Sequence, residues 1–293
     1  MLVNQTLLLL FMIWTDLLTA FLFPRKRLDK ARLARALQGK TVLLTGASYG
    51  IGAATARLLA VPGVRLLLVA RTEARLSALA TELVAQGADV VYHALDLTDG
   101  EAVDAWTAQL RRSERLDVVI SNAGHSILRS VYAATDRFHD YERTMAINYF
   151  APVRLLLPLL PLLTAQGGQL LNVSAAKVLL LPAPYWSAYQ ASKVALDHWW
   201  RSVGIELRAQ GVQCSTAYLP LVRTRMIQPT AAYNRVPAMT AEQAALVLAQ
   251  LLLYRRRQFK PWWLWFGQLA SGLFRPLWER GLPYWLSRRQ RPS

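Results

Sequence analysis

The chain is predicted to be α/β, a single doubly wound parallel sheet with helices on both faces. Three observations predict it. Short apolar runs rich in β-formers alternate with helical stretches from Lys40 to Leu253, the pattern of crossover connections between parallel strands. The first run leads through a glycine-rich turn straight into a helix. Asp96, Asn122 and Ser174 stand at or just past predicted strand ends, and open parallel sheets bind ligands at those carboxyl ends.

Lys40–Thr45 is short, apolar and β-branched, the mark of a buried strand. Gly46, Ala47, Ser48, Tyr49, Gly50, Ile51 and Gly52 follow, and a helix runs from there to Ala60. Glycines let the backbone approach a pyrophosphate, and the helix N-terminus offers oriented N–H groups. The spacing is G-x-x-x-G-x-G. A purely structural turn would use the same glycines, but between a strand and a helix the spacing points to a dinucleotide.

Val64–Ala70 is the second strand, and Arg71 follows it. An acid near this point would bond a ribose 2′-hydroxyl and select NAD, whereas an arginine accommodates the 2′-phosphate of NADP. Here Ala70 and Arg71 occupy the place, which favours NADP; a surface arginine is the plain alternative. A helix over 73–86, a strand over 89–94 ahead of Asp96, a helix over 99–112 and a strand over 117–121 ahead of Asn122-Ala123-Gly124 continue the alternation. Asp96, Asn122 and Gly124 are candidates for adenine and ribose contacts, with loop capping the alternative for Asp96.

A long helical stretch, 136–164, holds Asn148 and is interrupted by Pro152, Pro158 and Pro161. The strand 169–173 ends at Ser174. A helix then carries Tyr189 and Lys193 to about residue 209, and a strand over 212–218 leads into a loop with Pro220, Pro229 and Pro237. The last helix of this unit covers 240–253. Tyr189 and Lys193 are four residues apart, so they share a helix face. A neighbouring ammonium favours the phenolate, so the pair is suited to exchanging a proton with a carbonyl or alcohol oxygen. The motif alone is common on solvated helix faces. The scattered histidines offer no metal cluster; His125, beside the Asn122 turn, is a candidate lining residue.

The net charge of +16 lies mainly at the ends. Residues 1–40 hold seven Lys/Arg against two Asp/Glu, residues 255–293 nine against one, and the long middle eighteen against fifteen. The basic ends flank apolar and Trp-rich stretches and no nucleic-acid motif is present, so a membrane is expected rather than nucleic acid. Residues 1–24 read as a membrane anchor: Leu2–Phe23 is mostly apolar, and a helix of that length spans roughly 33 Å. Asp16 is unfavourable within a span. Pro24 ends the run, and the basic residues of a 25–37 linker follow, which places the rest of the chain on the cytoplasmic side. A cleaved signal peptide would want a basic start that residues 1–6 lack; a helix lying on the surface is the other alternative. Residues 255–293 hold five of the ten Trp between Arg and Lys residues, as expected of an amphipathic tail in the headgroup layer or one packed on its own domain. The single cysteine, Cys214, excludes an intrachain disulfide.

Thr45-Gly46-Ala47-Ser48-Tyr49-Gly50-Ile51-Gly52, Asn122-Ala123-Gly124, Ser174 and Tyr189…Lys193, in that order, resemble the classical short-chain dehydrogenase/reductases over residues 38–254. The resemblance implies a Rossmann-type NADP-binding domain. It makes Tyr189 the general acid/base, with Lys193 holding the nicotinamide ribose and Ser174 positioning the carbonyl oxygen. Asn148 keeps a water for the proton relay, and Thr224 meets the carboxamide. A homodimer or homotetramer is usual in the family. Two departures stand out. Leu219-Pro220-Leu221-Val222-Arg223-Thr224 replaces the family's Pro-Gly-x-Val-x-Thr, and an apolar insertion, Leu179–Pro184, is expected at the pocket mouth.

Asp136-Arg137-Phe138-His139-Asp140-Tyr141-Glu142-Arg143-Thr144-Met145 and Tyr218–Thr224 resemble, more narrowly, bacterial short-chain-type fatty acyl-CoA reductases. The membrane segments are similar to those of 3-ketosphinganine reductases. Both imply a long-chain lipid substrate. The leading expectation is reduction of fatty acyl-CoA to aldehyde with NADPH, with Arg223, Arg225 or Arg235 meeting a CoA phosphate or simply solvated. A sphingoid, steroid or retinoid ketoreductase would use the same residues. The reading from another class is a non-catalytic NADP-binding membrane protein, which the intact Asn148, Ser174, Tyr189 and Lys193 oppose.

Overall fold

The computed structural model describes residues 18–23, 27–113, 115–228, 233 and 236–289. In chain order the elements are α1 (Lys30–Leu37), β1 (Thr41–Thr45), α2 (Gly50–Leu59), β2 (Arg65–Ala70), α3 (Glu73–Val84) and β3 (Asp89–Ala94). Next come α4 (Gly100–Ser113), β4 (Val118–Ser121), α5 (His139–Met145), a π-helical turn (Ala146–Phe150), α6 (Ala151–Leu156) and α7 (Leu160–Ala165). The chain continues through β5 (Gln169–Ala175), α8 (Ser187–Ala209), β6 (Gln213–Leu219), α9 (Ala241–Leu253), β7 (Gln258–Phe259), α10 (Leu264–Leu273) and α11 (Arg275–Arg289).

Seven strands form one parallel sheet in the order β3-β2-β1-β4-β5-β6-β7. Strand order reverses between β1 and β4, and the carboxyl ends of that pair form the crevice where doubly wound folds take ligands. The strands are buried on both faces, so they read as continuous apolar runs. Successive side chains go to opposite cores. Leu66 and Leu68 join Val42, Leu44, Leu59 and Leu248 on one face. Leu67 and Val69 join Leu43, Val119, Leu155 and Trp200 on the other. Each fully buried leucine contributes about 1.5–3 kcal/mol.

Three segments differ from the sequence expectation. The stretch expected as a basic linker contains α1, a helix capped by Asp29, whose carboxylate accepts the Arg32 N–H at 2.9 Å. Leu33 and Leu37 on its inner face are buried in the core. Charge density suggested a linker; the i, i+4 leucine pair decides for a docked helix. The tail does not start where the sheet stops, because β7 adds a strand beside β6 and Leu264 is fully buried. The long stretch 139–165 is helical but passes through the π turn, with Pro152, Pro158 and Pro161 each at the first or second position of a new segment. A proline there forfeits no hydrogen bond.

Among the described residues, 139–165 is the one helix long and apolar enough to cross a membrane. It lies against the sheet, with Leu155, Leu156, Leu159 and Leu163 in the core. Most of the expected N-terminal anchor, residues 1–17, lies outside the described residues. Its end is helical over 18–22, and Phe23 is buried.

Candidate active site

The crevice is built where β1 and β4 end. Thr45 closes β1, and its hydroxyl accepts the backbone N–H groups of Asn122 and Ala123 at 3.0 and 3.1 Å. The Asn122 amide donates back to the carbonyls of Thr45 and Gly46 at 3.0 and 3.2 Å. The Asn122 amide group thus holds the glycine turn against β4. Gly46 has φ +66°, and a Cβ there would lie 2.9 Å from Ala123 Cα. At Gly52 a Cβ would stand 2.0 Å from the Gly46 carbonyl oxygen, so only glycine allows α2 to start this close to β1. Ser48 and Ile51 are half-buried on either side of Tyr49 and Gly50. Tyr49 occupies the N-cap of α2 and gives no side-chain cap. The first N–H groups of this helix are therefore available to an anion.

Arg71 and Asp96 stand side by side past β2 and β3, with Nη1 3.9 Å from the carboxylate. Asp96 also accepts from the N–H and hydroxyl of Thr98 at 2.9 and 2.8 Å, so part of its role is the capping alternative. Arg71 is 75% exposed at its side chain, open to a phosphate. The sequence reading missed Arg75, one helical turn on. Its guanidinium lies 5.4 Å from the Tyr49 ring centroid, and that of Arg225 lies 5.0 Å from the same ring. The i, i+4 spacing of Arg71 and Arg75 was the available signal. Thr224 meets the turn as well, since a Cβ on Gly50 would come within 2.8 Å of its methyl group.

The catalytic candidates converge on the end of β5. Ser174 is buried, and among the described residues its hydroxyl has no hydrogen-bond partner. A buried hydroxyl without a partner is costly, and a substrate oxygen would satisfy it. Lys193 is buried on α8, with Nζ 3.4 Å from the carbonyl oxygen of Val173, the residue before Ser174. Gly124 leaves room between Lys193 Nζ and Asn148 Oδ1, which would stand 3.3 and 2.9 Å from a Cβ there. Asn148 lies in the π turn, a helical defect frequent at functional sites. Its carbonyl accepts from His125 N–H at 2.9 Å and its amide donates to the His125 carbonyl at 2.8 Å. The same amide donates to Ser192 Oγ at 2.9 Å.

Tyr189 packs beneath Trp186, ring centroids 5.5 Å apart, and Trp186 stacks on Tyr233 at 6.1 Å. Lys193 was expected to lower the Tyr189 pKa. Instead burial, with Tyr233 as the lesser cause, pushes the phenol up to about 12. Burial also pushes the Lys193 ammonium down to about 8. Desolvation disfavours both charged forms. A phenol that keeps its proton is the form that donates to a carbonyl oxygen.

The sequence reading also missed Lys177, three residues after Ser174. Its Nζ sits 3.7 Å from the Trp186 ring centroid, and burial pushes its pKa down to about 8. Gln190 joins the Lys177 carbonyl at 2.9 Å to the Ala183 N–H at 3.0 Å. The insertion at Leu179–Pro184 is thereby pinned to the catalytic helix, and Leu179 and Leu180 pack with Leu264. Arg223 donates to the Val236 carbonyl at 3.3 Å, Arg225 lies over Tyr49, and Arg235 is outside the described residues.

The family described as short chain dehydrogenase matches residues 40–234. A fatty acyl-CoA reductase of Acinetobacter baylyi is 41% identical over 237 residues, 80% of this chain and 79% of that protein. A fatty acyl-CoA reductase of Mycobacterium tuberculosis is 42% identical over 211 residues, 71% of this chain and 72% of the relative. Among solved structures, a short-chain dehydrogenase from Sphingobium yanoikuyae in complex with NADPH superposes with a TM-score of 0.71 at 27% identity, covering 82% of this chain and 96% of the other.

Proposed function

The chain belongs to the short-chain dehydrogenase family and is an oxidoreductase, and from that premise we propose that it reduces long-chain acyl-CoA to fatty aldehyde with NADPH. The observation that carries the substrate is the 41% identity to a fatty acyl-CoA reductase over four-fifths of the chain. The geometry supplies the chemistry.

The glycine turn, the uncapped start of α2 and Arg71 would hold NADPH, with Lys193 and Thr224 at its nicotinamide end. Bound NADPH supplies the hydride. The Ser174 hydroxyl donates a hydrogen bond to the thioester oxygen and fixes its position. Tyr189, protonated because it is buried, gives its proton to that oxygen as the carbon becomes tetrahedral. When the resulting hemithioacetal collapses, the C–S bond breaks, the hydroxyl proton returns to Tyr189, and CoA leaves as the thiol once a proton reaches its sulfur. Atoms balance as acyl-CoA, NADPH and one proton giving aldehyde, CoA and NADP. Asn148, clasped by the backbone of His125, lies where a proton path could reach Lys193.

The same reading places the enzyme at a membrane, with its catalytic domain on the cytoplasmic side. Trp262 donates from its indole N–H to the Phe21 carbonyl at 3.2 Å, and their rings meet edge to face at 5.0 Å. Residues 18–23 and the start of the Trp-rich tail therefore lie together. Trp265, Phe266, Leu273 and Leu277 on α10 and α11 are 57–66% exposed, an apolar surface of the kind that marks an interaction site. Arg255, Arg256, Arg257, Lys260 and Arg275 flank it, as suits anionic headgroups.

Purified protein in detergent is expected to oxidise NADPH when given palmitoyl-CoA, releasing CoA thiol in equal amount. NADPH oxidation without thiol release would turn the reading to a ketoreductase. Flotation with anionic vesicles tests the membrane reading separately.

A further inference from the structure

Expulsion of CoA leaves charge on sulfur while Tyr189 is engaged at the oxygen on the same carbon. An alkyl thiolate is basic, with a reference thiol pKa of about 8.5, so a positioned acid speeds its departure. Lys177 stands in the right neighbourhood. It lies in a short 3₁₀ turn, Ala176–Leu179, directly after β5 ends at Ala175. The Gln190 amide donates to the Lys177 carbonyl at 2.9 Å, which fastens this turn to α8 at the residue after Tyr189. The Lys177 ammonium sits 3.7 Å from the Trp186 ring centroid, and the Tyr189 ring meets the same indole at 5.5 Å. One buried indole thus lies against both groups.

Packing alone does not account for this side chain. Lys177 is half-buried, burial is the sole cause of its pKa shift, and among the described residues no carboxylate offsets its charge. A cation–π contact returns about 0.5–2 kcal/mol, and a methionine would cover Trp186 with no charge to desolvate. Burial pushes the ammonium down to about 8, against about 10.4 for an ordinary lysine. At pH 7 it is still charged, yet it releases its proton far more readily, with an acidity close to that of an alkyl thiol. Its exposed part can take a fresh proton from water. The other cations nearby serve less well. Lys193 is buried against the Val173 carbonyl, and the guanidinium groups of Arg223 and Arg225 do not give up protons. Burial pushes His125 below its ordinary value, so it is neutral at pH 7.

We propose that Lys177 is the acid that protonates the CoA sulfur as the hemithioacetal collapses. The assignment rests on the acyl-CoA reading. The C–S bond breaks and its electron pair goes to sulfur, which takes a proton from the Lys177 ammonium. The hydroxyl proton returns to Tyr189 as the C=O bond forms. The neutral Lys177 amine then recovers a proton from water, which is the one proton the overall reaction consumes. Trp186 is the positioning residue, holding the ammonium and the phenol ring in place.

The test compares three substrates with the protein in detergent: palmitoyl-CoA, the palmitoyl thioester of N-acetylcysteamine and that of 4-nitrothiophenol. The first two expel an alkyl thiolate, whereas the nitroaryl thiolate leaves without a proton. Lys177→Met is expected to lower kcat on the first two by about 10²–10⁴ and to leave the third nearly unchanged. Collapse follows hydride transfer, so the loss belongs to kcat and not to KM. Lys177→Arg keeps the charge over Trp186 but holds its proton, and should fail as Lys177→Met does. A full rate in Lys177→Arg would show that charge suffices and would overturn the assignment. Equal losses on all three thioesters would make Lys177 structural, and a loss confined to palmitoyl-CoA would make it a contact for the nucleotide; either overturns the assignment. Wild type and variants equally active on every thioester would remove Lys177 alone and leave the reductase reading standing. A wild type that oxidises NADPH with none of the three refutes the acyl-CoA reading, and the assignment falls with it.

Discussion

The Asn148 amide donates to Ser192 Oγ at 2.9 Å, and that hydroxyl donates in turn to the Tyr189 carbonyl at 2.8 Å. Ser192, fully buried, thereby ties the π turn to the helix that carries both Tyr189 and Lys193. Ser192→Ala strands one buried amide hydrogen, at a cost of about 1–3 kcal/mol. Urea unfolding should show that loss, with a fall in kcat larger than any change in KM for NADPH. An unchanged kcat in a destabilised protein would make the link structural only.

Tyr189→Phe removes the proton donor and keeps the ring against Trp186. Turnover should fall by about 10²–10⁴, while quenching of tryptophan fluorescence by NADPH persists. Full activity in this variant would refute Tyr189 as the acid.

Two ammonium groups, that of buried Lys193 and that of half-buried Lys177, lie near pKa 8. The ordinary lysine value is about 10.4. The unfolded chain therefore binds more protons between about pH 8 and 10.4, and these groups make stability rise with pH across that window. Below pH 8 their burial penalty is fully present. Lys193→Met should accordingly unfold at higher urea concentration than wild type at pH 7, with the gain shrinking as pH rises towards 10. For activity, kcat/KM for reduction should decline above about pH 8 as Lys193 loses its proton. That limb should survive in Lys177→Met; its disappearance there would assign it to Lys177.

Gly50 has φ +52°, and an added Cβ would press the Thr224 methyl at 2.8 Å. Gly50→Ala should destabilise by about 1–3 kcal/mol from backbone strain and weaken NADPH binding, because it displaces the loop after β6 from the cofactor turn. Thermal unfolding with and without NADPH separates the two effects.

Arg71→Asp restores an acid at the end of β2 and is expected to shift preference from NADPH towards NADH. The ratio of kcat/KM for the two cofactors measures it. If preference is unmoved, Arg75 and Arg225 beside Tyr49 carry the discrimination.

The sequence by itself determined the sheet, its helices and the glycine turn. Those features follow from local periodicity and from residue types that only certain backbones accept. Gly46 and Gly52 are glycines because neighbouring backbone lies within 3 Å of where a Cβ would be, and Tyr189 and Lys193 share a face by helical spacing alone. Tertiary structure decided what those groups do. Asn122 holds the turn because strand order sets β1 beside β4, pairing residues 77 apart in the chain. The Tyr189 phenol keeps its proton because packing in the fold, with Trp186 against its ring, disfavours the phenolate, and no spacing rule encodes solvent access. Arg129, Arg137 and Arg143 read as scattered charges along the chain; the buried Asp140 carboxylate gathers them. Local geometry is carried by near neighbours, whereas burial and long-range charge depend on contacts that only the packed sheet brings about.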